Sequence, residues 1–270
     1  MRKLSIAALT AIAALALAGI ALAANVYTVD GSTKPSGKGS KSKPKPVQVN
    51  FDFQVESDDP SVRGTPIETY AIGSEGLVSY PKTRPTCTFA QANRDGTIDP
   101  KCKKANVGSG LVQNVVGPAA SPSVKIFCNL KLGLYNISGA GKNGGMAIRL
   151  DGDPKEPPLS DPNDKTINCP TPIHGAIKAK FVKTKIGGLP ASDLRFTVPA
   201  ELLHPSGLDT TVRNTVNKVL KKTGTVKIGG KKRKVGFYSV IGCKGGKRTI
   251  QATFVDEQGE TFKATKQKKC

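Results

Sequence analysis

Basic side chains are the residues of this sequence whose grouping most clearly implies chemistry. Four adjacent cations, Lys231 to Lys234, follow the pair Gly229-Gly230, which predicts a positively charged hairpin tip. Lys178 and Lys180 alternate with apolar residues, so they project from one face of a predicted strand. The predicted anion-binding set comprises Lys178, Lys180, Lys231, Lys232, Arg233, Lys234, Lys244, Lys247 and Arg248.

The positive charge is concentrated in the C-terminal part of the chain. Residues 174–270 contain 21 Lys and Arg against 6 Asp and Glu, whereas residues 24–173 contain 18 against 14. This excess favours an anionic partner, either a cell-envelope polymer carrying phosphate or carboxylate or an anionic lipid surface. Nucleic acid fits less well, because Trp is absent and aromatic stacking platforms are scarce. The competing interpretation is a charged soluble surface whose lysines keep strand edges from pairing.

The segment Gly139–Gly144 matches G-x-G-x-x-G, a pattern of dinucleotide-binding loops. Such a loop needs a following helix whose first amides face the pyrophosphate. Here Met146–Leu150 predicts a strand, so the segment is interpreted as a glycine-rich hairpin loop. The sequence therefore predicts no nucleotide or other cofactor.

Two groups of oxygen ligands have some resemblance to calcium sites. Asn93, Asp95 and Asp99 have the spacing of a calcium loop, but Cys102 stands where the bidentate Glu belongs. The second group is an acidic cluster made of Asp151, Asp153, Glu156, Asp161, Asn163 and Asp164. Polar, solvated loops are the simpler interpretation of both, and no metal site is predicted.

The two histidines, His174 and His204, are the candidate bases of a hydrolase. No G-x-S-x-G sequence marks a serine nucleophile, and no pair of carboxylates can be assigned to a cleft. A non-catalytic protein is therefore expected, with a secreted hydrolase as the alternative.

The N-terminal 23 residues predict an export signal. Arg2 and Lys3 precede an apolar stretch, and Ala21-Leu22-Ala23 fits the small-residue pattern of a cleavage site. The apolar stretch is about long enough to span a bilayer, so an uncleaved anchor is the alternative. No later segment is apolar enough to span a membrane, and a secreted or envelope-associated location is expected.

Six cysteines in an exported chain predict three disulfides. Six cysteines allow 15 connectivities, and the sequence alone does not choose among them. We predict pairing between neighbours along the chain: Cys87–Cys102, Cys128–Cys169 and Cys243–Cys270. A metal site is a poor alternative, because no C-x-x-C pair occurs.

The segment Ser123–Leu134 predicts the central strand. Every second residue from Val124 to Leu134 is apolar and those between are mostly polar, Asn129 among them. A period of two indicates a half-buried β-strand. Cys128 has the apolar parity, so it is expected to bring a disulfide into the core.

Short strands recur along the chain, and few segments favour a helix. Alternation is clear at Val47–Val55, and the turn at residues 256–259 predicts a C-terminal hairpin. Thr210–Leu220 is ambiguous, but six of its eleven residues are Thr or Val, which favours a strand. Single helical turns are predicted at Thr88–Ala92 and Pro199–His204. We predict an all-β fold, a disulfide-bonded antiparallel β-sandwich built as one large or two small sandwiches.

The predicted organisation has three parts: a signal peptide over residues 1–23, a disordered linker over 24–46 and the β-sandwich region over 47–270. The linker is inferred from a composition rich in Lys, Pro, Gly and Ser, which offers little apolar surface to offset the cost of ordering. A Pro- and Asp-rich stretch near residues 151–175 is the candidate boundary between two sandwiches.

Two short motifs resemble those of secreted bacterial β-rich proteins that have no assigned activity. The first is Cys87…Cys102-x4-Val107-Gly108-Ser109-Gly110, and the second is Gly242-Cys243-Lys244 followed by the terminal Cys270. The resemblance implies an exported β-protein over most of the mature chain and assigns no functional residue. The favoured function is therefore an exported, non-catalytic module that binds an anionic envelope polymer or surface; the alternatives are the hydrolase and a calcium-dependent adhesion module.

Overall fold

The computed structural model describes residues 24–154, 159–161 and 163–270, and the predicted signal peptide lies outside the described residues. The strands are β1 (Asn25–Lys34), β2 (Lys45–Ser57), β3 (Ile67–Ser74), β4 (Leu77–Ser79), β5 (Asn106–Pro118), β6 (Ile126–Ile137), β7 (Gly145–Gly152), β8 (Ile173–Ile186), β9 (Leu189–Thr197), β10 (Leu208–Val219), β11 (Thr223–Ile228), β12 (Lys231–Gly236), β13 (Tyr238–Val240), β14 (Lys247–Asp256) and β15 (Thr261–Lys269). Two one-turn helices, α1 (Phe89–Ala92) and α2 (Ala200–Leu203), and 3₁₀ segments at Pro81–Thr83, Pro100–Ala105, Pro205–Gly207 and Lys244–Gly246 complete the described secondary structure. The predicted all-β fold is confirmed.

Thirteen of the strands form one antiparallel sheet. Its order is β15-β14-β3-β9-β8-β7-β6-β5-β10-β2-β13-β4, and β1 pairs with β2. Strands β7 and β8 flank residues 153–172 and pair with each other, from Gly152 opposite Ile173 to Gly145 opposite Lys180. The stretch near residues 151–175 therefore does not divide the sheet into two sandwiches. Strands β11 and β12 form a separate two-stranded hairpin.

The large sheet curls until its ends approach each other, as sheets of more than about ten strands commonly do. Side chains join β1 to β14 and β15 along this seam. The Tyr27 ring stacks on Phe254 and Phe262, with centroids 4.7 and 4.8 Å apart. Lys268 Nζ lies 2.8 Å from Asp30 Oδ2. The curled sheet therefore behaves as a sandwich-like body with an enclosed interior.

Two clusters of buried side chains fill much of that interior. The larger is built on β5, β6, β7 and β8 and contains Leu130, Leu132 and Phe181. The smaller is built on β1, β2, β3 and β14 and contains Phe53 and Tyr70. A cavity of about 440 Å³ lies between them, bounded by residues of both.

All three predicted disulfides are confirmed: Cys87–Cys102, Cys128–Cys169 and Cys243–Cys270. The first closes the loop that contains α1, and the third fastens the end of β15 to the segment before β14. The second attaches the long loop before β8 to β6. Three disulfides are typical of a protein that folds in an oxidising compartment.

The linker prediction is wrong for residues 25–34, which form β1, and for Lys45 and Pro46, which begin β2. Val29 is buried in the smaller cluster and Tyr27 packs against it, so this segment has a period of two that the composition of the whole stretch hides. Its backbone pairs with β2 from Asn25 opposite Ser57 to Lys34 opposite Gln48.

The central strand is confirmed with two differences. Val124 precedes β6 and is 40 % exposed. Asn129, expected to face solvent, is 2 % exposed, because its side-chain amide donates to the Asp164 and Thr166 carbonyls at 2.6 and 3.1 Å. The loop before β8 thus covers Asn129 and pairs with its backbone through Asn168, and the Cys128–Cys169 disulfide fastens the loop at the neighbouring position.

Other local predictions are also confirmed. Thr210–Leu220 is largely strand β10, with a register shift between Val212 and Asn214. The C-terminal hairpin pairs β14 with β15, and Gly259 at its turn has a φ of 81°. The helical turn after Thr88 starts with a capping box that Thr88 and Gln91 form.

Removal of the disulfide that attaches the long loop should cost much of the stability. For the double variant Cys128→Ala/Cys169→Ala we expect the free energy of unfolding to fall by about 4 kcal/mol, because 41 residues separate the two cysteines and the unfolded chain gains the corresponding freedom. Urea unfolding followed by circular dichroism measures the change. A loss below about 1 kcal/mol would show that the loop is held by Asn129 rather than by the disulfide.

Candidate anion-binding site

The β11–β12 hairpin presents lysines on one face. The register places Lys227 opposite Lys232 and Thr225 opposite Lys234. Side chains at these positions share a face, because alternate residues of a strand point the same way. Lys227, Lys232 and Lys234 are all exposed, while Val226, Ile228 and Arg233 on the other face are half-buried. We call Lys227, Lys232 and Lys234 the lysine face.

The turn and the base of the hairpin explain its position. Gly229 and Gly230 have φ values of 54° and 75°, the left-handed conformations that a two-residue turn of this type requires. At the base, Val235 and Phe237 are fully buried in the sandwich, and the Gly236 amide donates to Ser239 Oγ at 2.9 Å. The buried base anchors an exposed, charged tip.

The lysine face lacks acidic partners. Among the described residues, Lys268 is the only lysine with a carboxylate oxygen within 4 Å. Lys227 and Lys232 lie directly across the ladder from each other, and like charges in that position destabilise a hairpin. An anion bound over this face would relieve the repulsion.

The other predicted cations lie on separate elements. Lys178 and Lys180 are exposed on β8, where the Lys178 ammonium lies 5.9 Å from the centroid of the Phe89 ring. Lys244 and Lys247 are exposed next to the Cys243–Cys270 disulfide. The nine residues therefore do not form one continuous basic face.

Arg248 differs from the prediction, since it is 5 % exposed and not part of the surface. It has the same parity on β14 as Ile250, Ala252 and Phe254, all of which point into the sandwich. The prediction treated charge as evidence of exposure and did not apply the strand period to this position.

The calcium-like loop is occupied by an arginine. Arg149, 1 % exposed, donates from Nη1 to the Ala92 and Arg94 carbonyls at 3.0 and 2.6 Å, and from Nη2 to the Gly96 carbonyl. Asp95 and Asp99 cap backbone amides of their own loop. A guanidinium thus already holds the carbonyl oxygens, which argues against a cation site there.

The acidic stretch contributes one ion-pair network. Asp151 accepts from Arg149 Nε at 2.9 Å and lies 3.1 Å from His174 Nδ1. Glu156 lies outside the described residues. Within the part of the chain that the structure describes, no group of three His, Cys, Asp or Glu side chains is arranged to hold a metal ion.

Neither histidine has a nucleophile beside it among the described residues. Both ring nitrogens of His174 face carboxylates, Asp151 at 3.1 Å and Asp153 at 3.8 Å. His204 Nδ1 lies 3.0 Å from Asp209 and its Nε2 lies 2.5 Å from Glu257. The cysteines are all in disulfides. These contacts place carboxylates, and not a hydroxyl or thiol nucleophile, at the ring nitrogens of both histidines.

The G-x-G-x-x-G segment is the loop of the β6–β7 hairpin, in which Ile137 lies opposite Gly145. Strand β7 follows it directly, so the predicted hairpin interpretation is confirmed.

Comparison of the chain with protein-family models, with curated proteins and with solved structures finds no match. The resemblance to secreted bacterial β-rich proteins therefore stays a prediction. The described residues contain no helix with the length and apolarity needed to cross a bilayer.

The ion pairs of His204 predict a pH dependence of stability. Burial opposes the charged ring, but the negative charge of Glu257 and the hydrogen bond to Asp209 outweigh it and raise the pKa of His204. Because the pKa of His204 is higher in the folded state than in the unfolded state, protonation of the ring stabilises the fold. This stabilisation is complete below the unfolded-state pKa of about 6.5 and is lost as the pH rises through the folded-state pKa. The loss is expected to be about 0.5 kcal/mol, because solvent screens this partly exposed ring.

Urea unfolding of wild type and of His204→Gln at a series of pH values tests this. Wild type should have the larger free energy of unfolding at about pH 6, and its advantage over His204→Gln should shrink as the pH rises to about 8. Parallel curves over that range would show that the His204 ion pairs do not contribute.

Proposed function

We propose that this protein is an exported, non-catalytic binding module that attaches to an anionic cell-envelope polymer or lipid surface through its basic C-terminal half. The lysine face of the β11–β12 hairpin is the observation that carries the proposal. It combines exposure, three charges on one side of a short sheet and the absence of acidic partners within the described residues.

The chemistry of the cations supports diffuse attraction rather than recognition of one ligand. Lysine ammonium groups act as point charges, whereas bidentate recognition of carboxylate or phosphate favours arginine. The hairpin has no aromatic side chain among residues 223–236 on which a base or sugar could stack. Long-range attraction also speeds encounter with a charged surface and weakens with added salt.

Export remains part of the proposal and rests on the sequence of residues 1–23 together with the three disulfides. The hydrolase and the calcium-dependent module have less support. His174 and His204 face carboxylates, and Arg149 holds the carbonyls of the calcium-like loop.

Binding to phosphatidylglycerol-containing vesicles and to soluble polyphosphate tests the proposal. For Lys227→Ser/Lys232→Ser/Lys234→Ser we expect roughly 100-fold weaker binding to the vesicles at low salt, because a lysine near an anionic lipid surface contributes about 1 kcal/mol. Wild-type binding should also weaken steeply between about 50 and 200 mM salt. Sedimentation with the vesicles measures both effects.

The matched control is Lys101→Ser/Lys103→Ser/Lys104→Ser, which removes the same charge from exposed lysines of the 3₁₀ segment Pro100–Ala105. This variant should retain most of the binding. Equal losses in the two variants would mean that net charge alone drives attachment. Binding that does not change with salt would contradict the proposal altogether.

A further inference from the structure

The interior cavity has the size of a small-molecule pocket. Its volume is about 440 Å³, within the range of roughly 300–1,000 Å³ typical of ligand pockets. Apolar side chains from both clusters form most of its wall, among them Leu130, Leu132, Ile148, Phe53 and Tyr70. At about 30 Å³ for a group the size of a water molecule, the space holds about fifteen such groups, which matches one acyl chain rather than two.

The two ends of the cavity differ in chemistry. Strand β3 runs from one end to the other, with Thr69 opposite Thr197 of β9 and Ser74 opposite Ile250 of β14. At the first end α2 follows β9 and contributes Leu202 to an apolar wall. At the second end the lining is polar and cationic, and consists of Ser32, Thr33, Ser36, Ser74, Arg248, Lys268 and Lys269.

The polar end is also where the cavity reaches solvent. Ser32, Ser36 and Lys269 are the exposed residues of the lining, and they lie where β1 and β15 end side by side. The amide of Gly37 donates to the Cys270 carbonyl there, which holds the two chain segments together. A ligand entering here would pass the cations before it reaches the apolar wall.

Arg248 is a buried cation that lacks most of its hydrogen bonds. Its Nη1 donates to Thr33 Oγ1 at 3.1 Å, but Nε and Nη2 have no partner among the described residues. Burial lowers the pKa of Arg248, and the charge of Glu75 offsets this only in part. No ion pair of the described residues includes Arg248. A buried cation in this state is costly unless an anion compensates it.

The free nitrogens of Arg248 have the geometry of an anion fork. Nε and Nη2 lie along one edge of the guanidinium, where they can donate two parallel hydrogen bonds to a carboxylate or phosphate. Ser74 lines the cavity, and its Oγ is buried and also lacks a partner among the described residues. Ser74 pairs with Ile250, two residues after Arg248 on the same interior face, so the hydroxyl and the guanidinium are diagonal neighbours. Lys268 adds charge at the rim, although Asp30 partly neutralises it.

We propose that this cavity is a binding site for a single-chain amphiphile with an anionic head group, such as a long-chain fatty acid. The head group binds the Nε–Nη2 edge of Arg248 and the Ser74 hydroxyl, and the chain extends along the apolar wall toward α2. This site is distinct from the lysine face of the hairpin, and neither depends on the other.

Displacement of fluorescent cis-parinaric acid from the purified, delipidated protein tests the site. Palmitate should displace the probe with a stoichiometry of one, and methyl palmitate should bind roughly 10- to 100-fold more weakly, because the ester loses the charge-assisted hydrogen bonds. Hexadecyl phosphate shows whether the site prefers a carboxylate or a phosphate head group. If hexadecyl phosphate binds more tightly than palmitate, the head group is assigned as a phosphate. Failure of both acids to displace the probe, or equal affinity for palmitate and its methyl ester, would overturn the proposal.

Variants locate the head group. Arg248→Gln should weaken palmitate binding by roughly 10- to 100-fold and leave the binding of methyl palmitate unchanged. Arg195→Gln, an exposed arginine of β9, is the matched control and should have no effect. The triple hairpin variant should bind palmitate like wild type, so failure of the two proposals can be told apart. If Arg248→Gln does not fold, the comparison of palmitate with methyl palmitate on the wild-type protein still tests the proposal. A folded Arg248→Gln variant that binds palmitate as tightly as wild type would overturn the assignment of Arg248 to the head group.

Discussion

The edge strands β1 and β15 meet without a backbone ladder, and the shape of the molecule depends on the side chains that join them. Exposed strand edges invite pairing with other chains, so a sheet of thirteen strands gains from bringing its ends together. Tyr27 stacks on two rings across the seam, and Asp30 pairs with Lys268. Gly31 allows the close approach, because a Cβ there would lie 2.9 Å from the Asn50 carbonyl oxygen and 3.2 Å from Ile250.

The cavity follows from that closure and from the composition. A curled sheet with this many strands encloses a wider interior than a small one, and its width is set by the strands rather than by the side chains. The chain has 9 Phe, 5 Tyr and no Trp to fill that width, and much of the wall is Val, Leu and Ile. Space therefore persists between the two core clusters. The exposed residues of the cavity lining, Ser32, Ser36 and Lys269, lie at the seam.

The sequence predicted the features that depend on local alternation and on pairing between chain neighbours. The period of two at Val47–Val55 and in β6 is visible because one face of each strand is apolar. The sequence allowed 15 disulfide connectivities, and the predicted one is correct because each bond joins consecutive cysteines along the chain. Strand β1 was missed because its few apolar residues lie in a stretch whose average composition suggests disorder. The burial of Asn129 depends on the loop that covers it, and this long-range contact leaves no local pattern. The burial of Arg248 does follow from a local pattern, its parity with Ile250, Ala252 and Phe254, which the prediction did not apply.

Three buried arginines show how the same side chain can have different roles. Arg63 donates to the carbonyls of Pro118, Ser121 and Val124, and Arg149 donates to three carbonyls of the first disulfide loop. In both cases the guanidinium fastens a loop to the sheet, and backbone oxygens compensate its burial. Arg248 is as deeply buried and lines the cavity, but it donates to only one hydroxyl among the described residues. A structural role accounts for most donors of the first two side chains; of these donors, Arg63 Nε alone lacks a partner among the described residues. For Arg248 a structural role leaves two donors without a partner among the described residues, and the anionic head group that we propose would supply acceptors for both.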